Sequence, residues 1–294
     1  MKLIKQSFEI LDQQCGLEGI YKQIEISGRT CYKSEDKITE DSAKEFVDRM
    51  IKSGHGAMLE HGTVYLAIPI SEWRCTDDYR DSYISNPYSN VNDSLVDWEN
   101  NEGTVYITTN LRVLVENGWL DDLQYICEPT EYHEKRITVK FTTDQGILRE
   151  FTRHRVFSFA VESTRYCNYT KDKFSNEITF IQPNWISDKD IENYHMDFGY
   201  FTDQDTNHIT AVNRFMSALK NAEYFYMELI KLGWKPQQAR NILPLATKCD
   251  MVMTGFVSDW EHFFELRDAA SAHPQAQELA HSLHETFIQR GLIK

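Results

Sequence analysis

The stretch RITVKFTTDQGILREFTRHR, residues 136–155, places the pattern of a strand directly before the pattern of a helix. Apolar and polar side chains alternate through residues 136–143, and residues 145–155 continue from that strand as a helix. Residues 63–69 (TVYLAIP) predict a second strand by the same alternation. Strands and helices follow one another too irregularly for a doubly wound fold, so we expect an α+β fold with a mixed or antiparallel sheet. No Gly-rich loop follows a strand, which disfavours a Rossmann dinucleotide site.

Further elements follow along the chain, and a polar segment separates two of the strands. Residues 76–103 are rich in Asn, Asp and Ser, which is typical of an ordered insertion or a long loop. Ser42 with Glu45 and Ser258 with Glu261 have the spacing of capping boxes. The remaining periodic segments predict a helix from 42 that stops at Gly54 and helices at 110–118, about 206–232, 237–243 and 258–268. They also predict a strand at 249–256 and a last helix near Pro274.

The composition is that of a soluble globular protein with an acidic surface. Of the 294 residues, 41% are hydrophobic and 26% are charged, and the formal net charge is −14 at pH 7. This charge disfavours a nucleic-acid partner, because such binding needs a basic surface that neutralises phosphates. It does not exclude a small anionic ligand held by a local cluster of arginines.

The cysteines indicate neither a zinc site nor a disulfide framework, because they form no CxxC pair and do not cluster with histidine. We expect free thiols in a reducing compartment at all six positions: Cys15, Cys31, Cys75, Cys127, Cys167 and Cys249. The N-terminus lacks the apolar core of a signal peptide, and no apolar stretch is long enough to cross a bilayer. The expectation is a cytoplasmic protein without a membrane partner or a metal site.

The densest functional signal is REFTRHRVFSFAVESTRY, residues 149–166. On the predicted helix, Arg149 and Arg153 lie on one face, and their mutual repulsion favours a bound anion. Arginine binds phosphate through two parallel hydrogen bonds, and hydroxyls at Ser163 and Thr164 add donors. From the residues alone, two alternatives remain open: a solvated basic helix end followed by a polar turn, and an RNA-binding segment, which the net charge disfavours.

The same segment resembles the signature of flavin-dependent thymidylate synthases. That signature reads Arg-His-Arg, two residues, Ser, one residue, Asn-Glu, one residue, Ser, one residue, Arg-Tyr. This chain has the required residues at Arg153, His154, Arg155, Ser158, Ser163, Arg165 and Tyr166. It departs from the signature at Ala160-Val161, which replace Asn-Glu, and a glutamate follows one position later at Glu162. One step moves a side chain to another face, so Glu162 replaces the family glutamate only if the local backbone differs.

Other segments extend the resemblance over most of the chain from about residue 40. Gly54-His55 followed by Glu60-His61 resembles the family's Gly-His and Glu-His segment, which implies that His55 faces the flavin. QQARNILPL resembles the segment that carries a nucleotide-binding arginine, here Arg240. FFELRDAASAHPQAQ resembles the segment that carries the arginine at position 267. By this resemblance, residues 1–294 form a single domain of the family's α+β fold, interrupted by an insertion at about 71–135.

The resemblance also implies an activity in nucleotide biosynthesis, the conversion of dUMP to dTMP. Methylenetetrahydrofolate supplies the carbon, and FAD reduced by NADPH supplies the hydride, in a homotetramer whose active sites lie between subunits. The catalytic residue implied is Arg267, which stabilises the uracil as N3 ionises and acts by its charge, because a guanidinium keeps its proton. The dUMP ligands implied are Glu150, Arg153, Glu162, Ser163, Thr164, Arg165, Arg240 and Arg267. The FAD ligands implied are His55, Arg153, His154, Arg155 and His262.

Two other functions remain open at this stage. The Ala160-Val161 replacement is compatible with a related one-carbon transferase that acts on another pyrimidine nucleotide. A non-catalytic protein that binds nucleotide or RNA is the second alternative. The joint presence of His55, Arg240 and Arg267 argues against this second alternative.

Overall fold

The computed structural model describes residues 1–73, 82–171, 174–192, 194 and 210–294, and nine strands lie within these ranges. The strands are β1 (Lys2–Ile4), β2 (Ser7–Ile10), β3 (Thr63–Pro69), β4 (Asn90–Asn92), β5 (Thr104–Asn110), β6 (Arg136–Asp144), β7 (Ser158–Val161), β8 (Thr179–Ile181) and β9 (Lys248–Phe256). The main sheet has the order β2-β6-β9-β7 and is antiparallel throughout. A second antiparallel sheet has the order β3-β5-β4, and β1 pairs with β8 in parallel.

Helices cover the main sheet and connect its strands. They are α1 (Gly16–Tyr32), α2 (Ser42–Lys52), α3 (Gly56–Leu59), α4 (Leu111–Asn117), α5 (Gln145–Phe151), α6 (Asp188–Glu192), α7 (Ala211–Lys231), α8 (Pro236–Ala239), α9 (Val257–Arg267) and α10 (Pro274–Gln289). Short 3₁₀ turns occupy Glu35–Lys37, Leu120–Tyr125 and Arg240–Ile242. This architecture confirms the predicted α+β fold. Of the predicted helix at 206–232, residues 206–209 lie outside the described ranges, and the remainder corresponds to α7.

The two faces of the main sheet differ in polarity, because side chains alternate along each strand. Val139 and Phe141 on β6 and Met251 and Met253 on β9 belong to one buried apolar cluster with residues of α5, α9 and α10. The opposite face packs against α1 and α3 and carries polar side chains. There the hydroxyl of Thr254 contacts the hydroxyl of Thr138 and the Nδ1 of His61, each at 2.8 Å.

Helix α5 begins directly after β6 and ends earlier than the sequence predicts. Asp144 caps it by accepting a hydrogen bond from the amide of Ile147 at 2.8 Å. The helix was expected to reach residue 155, but it ends at Phe151. The hydroxyl of Thr152 bonds the carbonyl of Arg149, which the amide of Arg153 would otherwise bond in a continuing helix. The predicted stacking of Arg149 and Arg153 on one helical face is therefore wrong.

Both predicted capping boxes are also wrong, because in each helix the N-cap is a residue before the serine: Asp41 and Phe256. Helix α2 starts after Asp41, and the Ser42 hydroxyl donates to the carboxylate of Glu25 at 2.8 Å. Helix α9 follows β9 without a loop, and its cap is the amide of Phe256 bonded to Asp259 at 3.0 Å. Each serine therefore lies inside the first turn of its helix, where its hydroxyl serves another contact.

The described part of residues 71–135 contributes to the packed core. Strand β5 pairs with all of β3, from Thr63 opposite Asn110 to Pro69 opposite Thr104. Its buried apolar side chains join one cluster with those of β3, α1 and α2. Residues 74–81 of this segment lie outside the described ranges. The organisation as one domain with an insertion stays a prediction.

The sequence led us to expect no membrane span, no metal site and no disulfide, and the structure bears on these expectations only for the residues that it describes. No helix among them is long and apolar enough to cross a membrane. Within the same ranges, no group of three or more His, Cys, Asp or Glu side chains is arranged to hold a metal ion. Among the described residues, Cys15, Cys31, Cys127, Cys167 and Cys249 form no disulfide, and Cys75 lies outside the described ranges.

Candidate active site

Three of the residues predicted to form the site meet at the end of helix α9. Arg267 donates from Nε to Nε2 of His154 at 2.9 Å and from a terminal nitrogen to the Glu150 carboxylate at 2.8 Å. Its other terminal nitrogen donates to the backbone carbonyl of Glu150 at 2.8 Å. The guanidinium is therefore held on three sides by helix α5 and the turn that follows it. We call Arg267, Glu150 and His154 the arginine cluster.

His154 is neutral in this arrangement. Burial, together with the nearby charge of Arg267, lowers the pKa of His154 to about 4. The ring is 8% exposed and lies 5.1 Å from the ring of Phe263 on α9. Because the Nε2 atom accepts a hydrogen bond from Arg267, the ring proton resides on Nδ1. The charge of the arginine cluster is thus that of Arg267 and Glu150 alone.

A cationic pocket is lined by two other residues of helix α5, Gln145 and Arg149. Arg240 donates to the hydroxyl of Thr164 at 3.1 Å, and Arg149 lines the same pocket. The pocket measures about 340 Å³ and is lined by Gln145, Arg149, Thr164, Arg240, Asn241, Leu243, Pro244, Leu245 and Thr247. No lining residue is acidic, and within the described ranges neither arginine has a carboxylate within 4.0 Å. The pocket can therefore bind an anion through two guanidinium groups and a hydroxyl.

Glu162 follows β7 and lies in the protein interior. It is 4% exposed, and its carboxylate accepts hydrogen bonds from Lys248 at 2.9 Å and from the amide of Asp250 at 3.0 Å. Lys33, at the end of α1, lies 3.6 Å from the same carboxylate. The structure therefore places Glu162 in a buried ionic cluster with two lysines and Asp250, beside the pocket and not within it.

The two histidines of the Gly-His and Glu-His segment occupy different environments. His55 is exposed at the start of α3, and its Nδ1 contacts the hydroxyl of Tyr32 at 3.1 Å. His61 is fully buried, with its Nδ1 on Thr254 at 2.8 Å. Burial and the charge of Arg136 lower the pKa of His61 to about 3, so this ring is neutral. His55 is accessible to a ligand, whereas His61 is a core residue.

The other predicted ligands are not brought into contact with the arginine cluster. The side chains of Arg153, Arg155 and Arg165 are exposed, and within the described ranges none has a carboxylate within 4.0 Å. Exposed His262 lies on α9 with Nδ1 3.1 Å from Glu265. Ser163 lies in the turn after β7, where its amide bonds the carbonyl of Cys31 at 3.0 Å. These positions are open to a ligand or to a second chain.

Sequence reasoning did not include three residues that shape this region, Gln145, Lys33 and Lys248. Gln145 lines the cationic pocket together with Arg149, which the arginine-rich segment 149–166 had indicated as an anion-binding residue but which was not among the implied dUMP ligands. Lys33 and Lys248 carried no motif. They become visible only when the fold brings α1 and β9 together beside Glu162.

Comparisons with a family model and with curated proteins agree on one family. Residues 129–290 match the model of the family described as thymidylate synthase complementing protein. A flavin-dependent thymidylate synthase of Halobacterium salinarum is 28% identical over 148 residues, which cover 49% of this chain and 59% of that protein. A probable flavin-dependent thymidylate synthase of Paramecium bursaria Chlorella virus 1 is 26% identical over 153 residues, 52% of this chain and 66% of that protein.

These matches span roughly six tenths of the length of the two relatives. Among solved structures, a UMP/dUMP methylase from Streptomyces cacaoi, bound with 5-Br dUMP, aligns over 98% of this chain and 93% of its own. Its sequence identity is 18% and the TM-score is 0.43.

Proposed function

Because this chain belongs to the family of thymidylate synthase complementing proteins, we propose that it is a flavin-dependent thymidylate synthase that converts dUMP to dTMP. One observation carries the proposal beyond family membership. Helix α5 joins the cationic pocket, through Arg149, to the arginine cluster, through Glu150. We propose that a nucleotide with its phosphate in the pocket places its base beside Arg267.

The pocket is suited to the 5′-phosphate of dUMP. The guanidinium groups of Arg149 and Arg240 offer paired N–H donors that match phosphate oxygens, and Thr164 adds a hydroxyl. Ser163 and exposed Arg165 are the further ligands proposed from the signature turn. The absence of a carboxylate among the lining residues removes the repulsion that a phosphate would otherwise meet.

Arg267 is proposed to act on the uracil ring. A guanidinium has five N–H donors, and three contacts with Glu150 and His154 leave two N–H groups for a ligand. Because its position is fixed before substrate binds, its charge stabilises the anion formed when N3 ionises without costly rearrangement. Neutral His154 supports this role, since it accepts from Nε without adding a positive charge.

The residues proposed to hold FAD fit an anionic cofactor. Arg153 and Arg155 expose their charges after helix α5, as a pyrophosphate requires where no Gly-rich loop is present. His55 and His262 are also exposed, and buried His154, which accepts a hydrogen bond from Arg267, completes the proposed set. Bound reduced flavin would supply the hydride, with NADPH as reductant and methylenetetrahydrofolate as carbon donor. We propose a homotetramer in which these residues meet the dUMP site across subunits.

A related activity on another pyrimidine nucleotide is the second candidate. The observation that favours it is the burial of Glu162, because the side chain nearest to the family's glutamate then does not reach a base. Anaerobic bleaching of the flavin by NADPH, recorded with dUMP, dCMP or UMP, separates the two activities when product formation is assayed in parallel. Formation of dTMP from dUMP is expected. A protein that binds no flavin, even after incubation with FAD, would contradict both.

A further inference from the structure

A buried ionic cluster lies beside the cationic pocket. It consists of Glu162, Lys33, Lys248 and Asp250. These residues come from the end of β7, the end of α1 and the start of β9. The cluster therefore joins three elements at the point where the Ser163–Arg165 turn leaves the sheet.

The two carboxylates and the two ammonium groups of this cluster balance each other's charge. The position of each side chain therefore depends on the other three. Lys248 bonds both carboxylates, at 2.9 Å to Glu162 and 2.5 Å to Asp250, and Lys33 also contacts Asp250. Burial alone would raise the pKa of Asp250, but the ammonium groups of Lys248 and Lys33 hold it below its ordinary value. Removal of one charge would leave an unpaired charge in the interior, which is strongly unfavourable.

Hydrogen bonds of Glu162 and of the next residue fix the start of the Ser163–Arg165 turn. The Glu162 amide donates to the carbonyl of Asp250 at 2.8 Å, and the Asp250 amide donates to the Glu162 carboxylate at 3.0 Å. The next amide, that of Ser163, donates to the carbonyl of Cys31 at 3.0 Å. One residue later, Thr164 contacts Arg240 in the pocket. The path from the cluster to the pocket is thus two residues long.

We propose that Glu162 is a positioning residue, which with Lys248 fixes the Ser163–Arg165 turn against the phosphate pocket and does not itself contact the nucleotide. This inference rests on the proposed function, because it assumes that the pocket binds the phosphate of dUMP. It also accounts for the one-residue shift of the glutamate relative to the family signature. At position 162 the carboxylate reaches Lys248 and the amide of Asp250, so it anchors the backbone.

The test compares ligands that share only parts of dUMP. In Glu162→Gln, affinity for dUMP and for deoxyribose 5-phosphate should fall by the same factor, about tenfold or more, since a charge-assisted bond is lost. Affinity for deoxyuridine, which lacks the phosphate, should stay unchanged. Binding is measured by calorimetry and by NMR titration, while flavin content and the melting temperature show that the variant is folded.

A variant at Lys248 tests the contact between Lys248 and Glu162 through its other partner. Lys248→Met should reproduce the phosphate-dependent loss, and the double variant Glu162→Gln/Lys248→Met, which restores charge balance, should bind dUMP no worse than either single variant. Loss of deoxyuridine affinity with retained deoxyribose 5-phosphate affinity would overturn the proposal, because it would show a direct contact with the base. Unchanged dUMP affinity in both single variants would also overturn it. Failure of the wild-type protein to bind dUMP would instead overturn the proposed function.

Discussion

Arg267 donates a hydrogen bond from Nε to the Nε2 atom of His154 at 2.9 Å. This bond requires an unprotonated ring nitrogen, in agreement with the lowered pKa of His154. Since the terminal nitrogens of Arg267 are held by Glu150, the guanidinium plane has a single orientation. Its remaining N–H groups consequently point in a fixed direction, which is the property that electrostatic stabilisation of a developing anion requires.

Arg267→Lys should therefore lower the rate of dTMP formation about 100-fold or more, because an ammonium cannot satisfy three fixed acceptors and a ligand. Flavin content should remain unchanged, since four of the five residues proposed to hold FAD (His55, Arg153, Arg155 and His262) lie outside the arginine cluster. The measurement is single-turnover oxidation of reduced enzyme with dUMP and the folate. Arg290→Lys is the matched control, because Arg290 is an exposed arginine paired with Asp12. A rate within threefold of the wild type in both variants would exclude the role proposed for Arg267.

Arg240→Ala should weaken dUMP binding by about 10- to 100-fold, the usual effect of losing a hydrogen bond to a charged group. Binding of deoxyuridine should be unaffected, because the nucleoside has no phosphate for the pocket. Thr164→Val should have a smaller effect in the same direction, since it removes a neutral donor. Titration of each ligand against the purified variants measures both quantities. Equal losses for dUMP and deoxyuridine would place Arg240 near the sugar or base and not near the phosphate.

The sequence predicted the elements whose signal is local. The alternation in residues 63–69 and 136–143 corresponds to β3 and β6, where buried positions recur along each strand. The predicted strand at 249–256 corresponds to β9, which is buried on both faces. The start of α5 was also predicted, and in the structure Asp144 caps it through the amide of Ile147. The end of α5 was not, because it depends on whether Thr152 bonds its own helix or solvent.

The candidate site was predictable as a set of residues but not as an arrangement. The motifs named Glu150, His154 and Arg267, and the structure brings them into contact. The environment of Glu162 depends on Lys33, which is 129 positions away and belongs to no motif. Such a contact follows from the packing of α1 against the main sheet, which periodicity along one segment does not encode.

Because His61 is buried and neutral, we expect the folded protein to lose stability in acid. The pKa of His61 falls from an ordinary 6.5 to about 3 in the folded protein, mainly through burial. Between these values the unfolded chain binds a proton that the folded protein excludes. The free energy of unfolding should therefore decrease as the pH falls from 6.5 to 3, by up to about 1.4 kcal/mol per pH unit, with no contribution above 6.5.

The check is thermal unfolding as a function of pH for His61→Gln. The slope between pH 6.5 and 3 should be shallower than in the wild type, because glutamine does not titrate. His281→Gln is the control, since His281 is exposed on α10 and next to Asp268. Parallel pH profiles for the wild type and His61→Gln would show that the buried ring does not limit acid stability.

Gly255 on β9 leaves the space that the ring of Phe157 fills. A Cβ at position 255 would lie 2.5 Å from Cδ1 of Phe157, whose buried ring cannot retreat because Trp260 packs against it at 4.6 Å. Gly255→Ala should therefore destabilise the protein by about 1–3 kcal/mol, as measured by urea unfolding. His154, whose ring centre is 6.3 Å from that of Phe157, should be displaced as well, which would lower the rate of dTMP formation.

The double variant Gly255→Ala/Phe157→Leu separates this overpacking from other effects of the alanine. Leucine is smaller than phenylalanine, so the added methyl group gains room and part of the lost stability should return. Phe157→Leu alone should be destabilising, because it opens a cavity beside Trp260. Strictly additive losses in the double variant would mean that Gly255 and Phe157 do not compete for space. The glycine would then be required for a different reason.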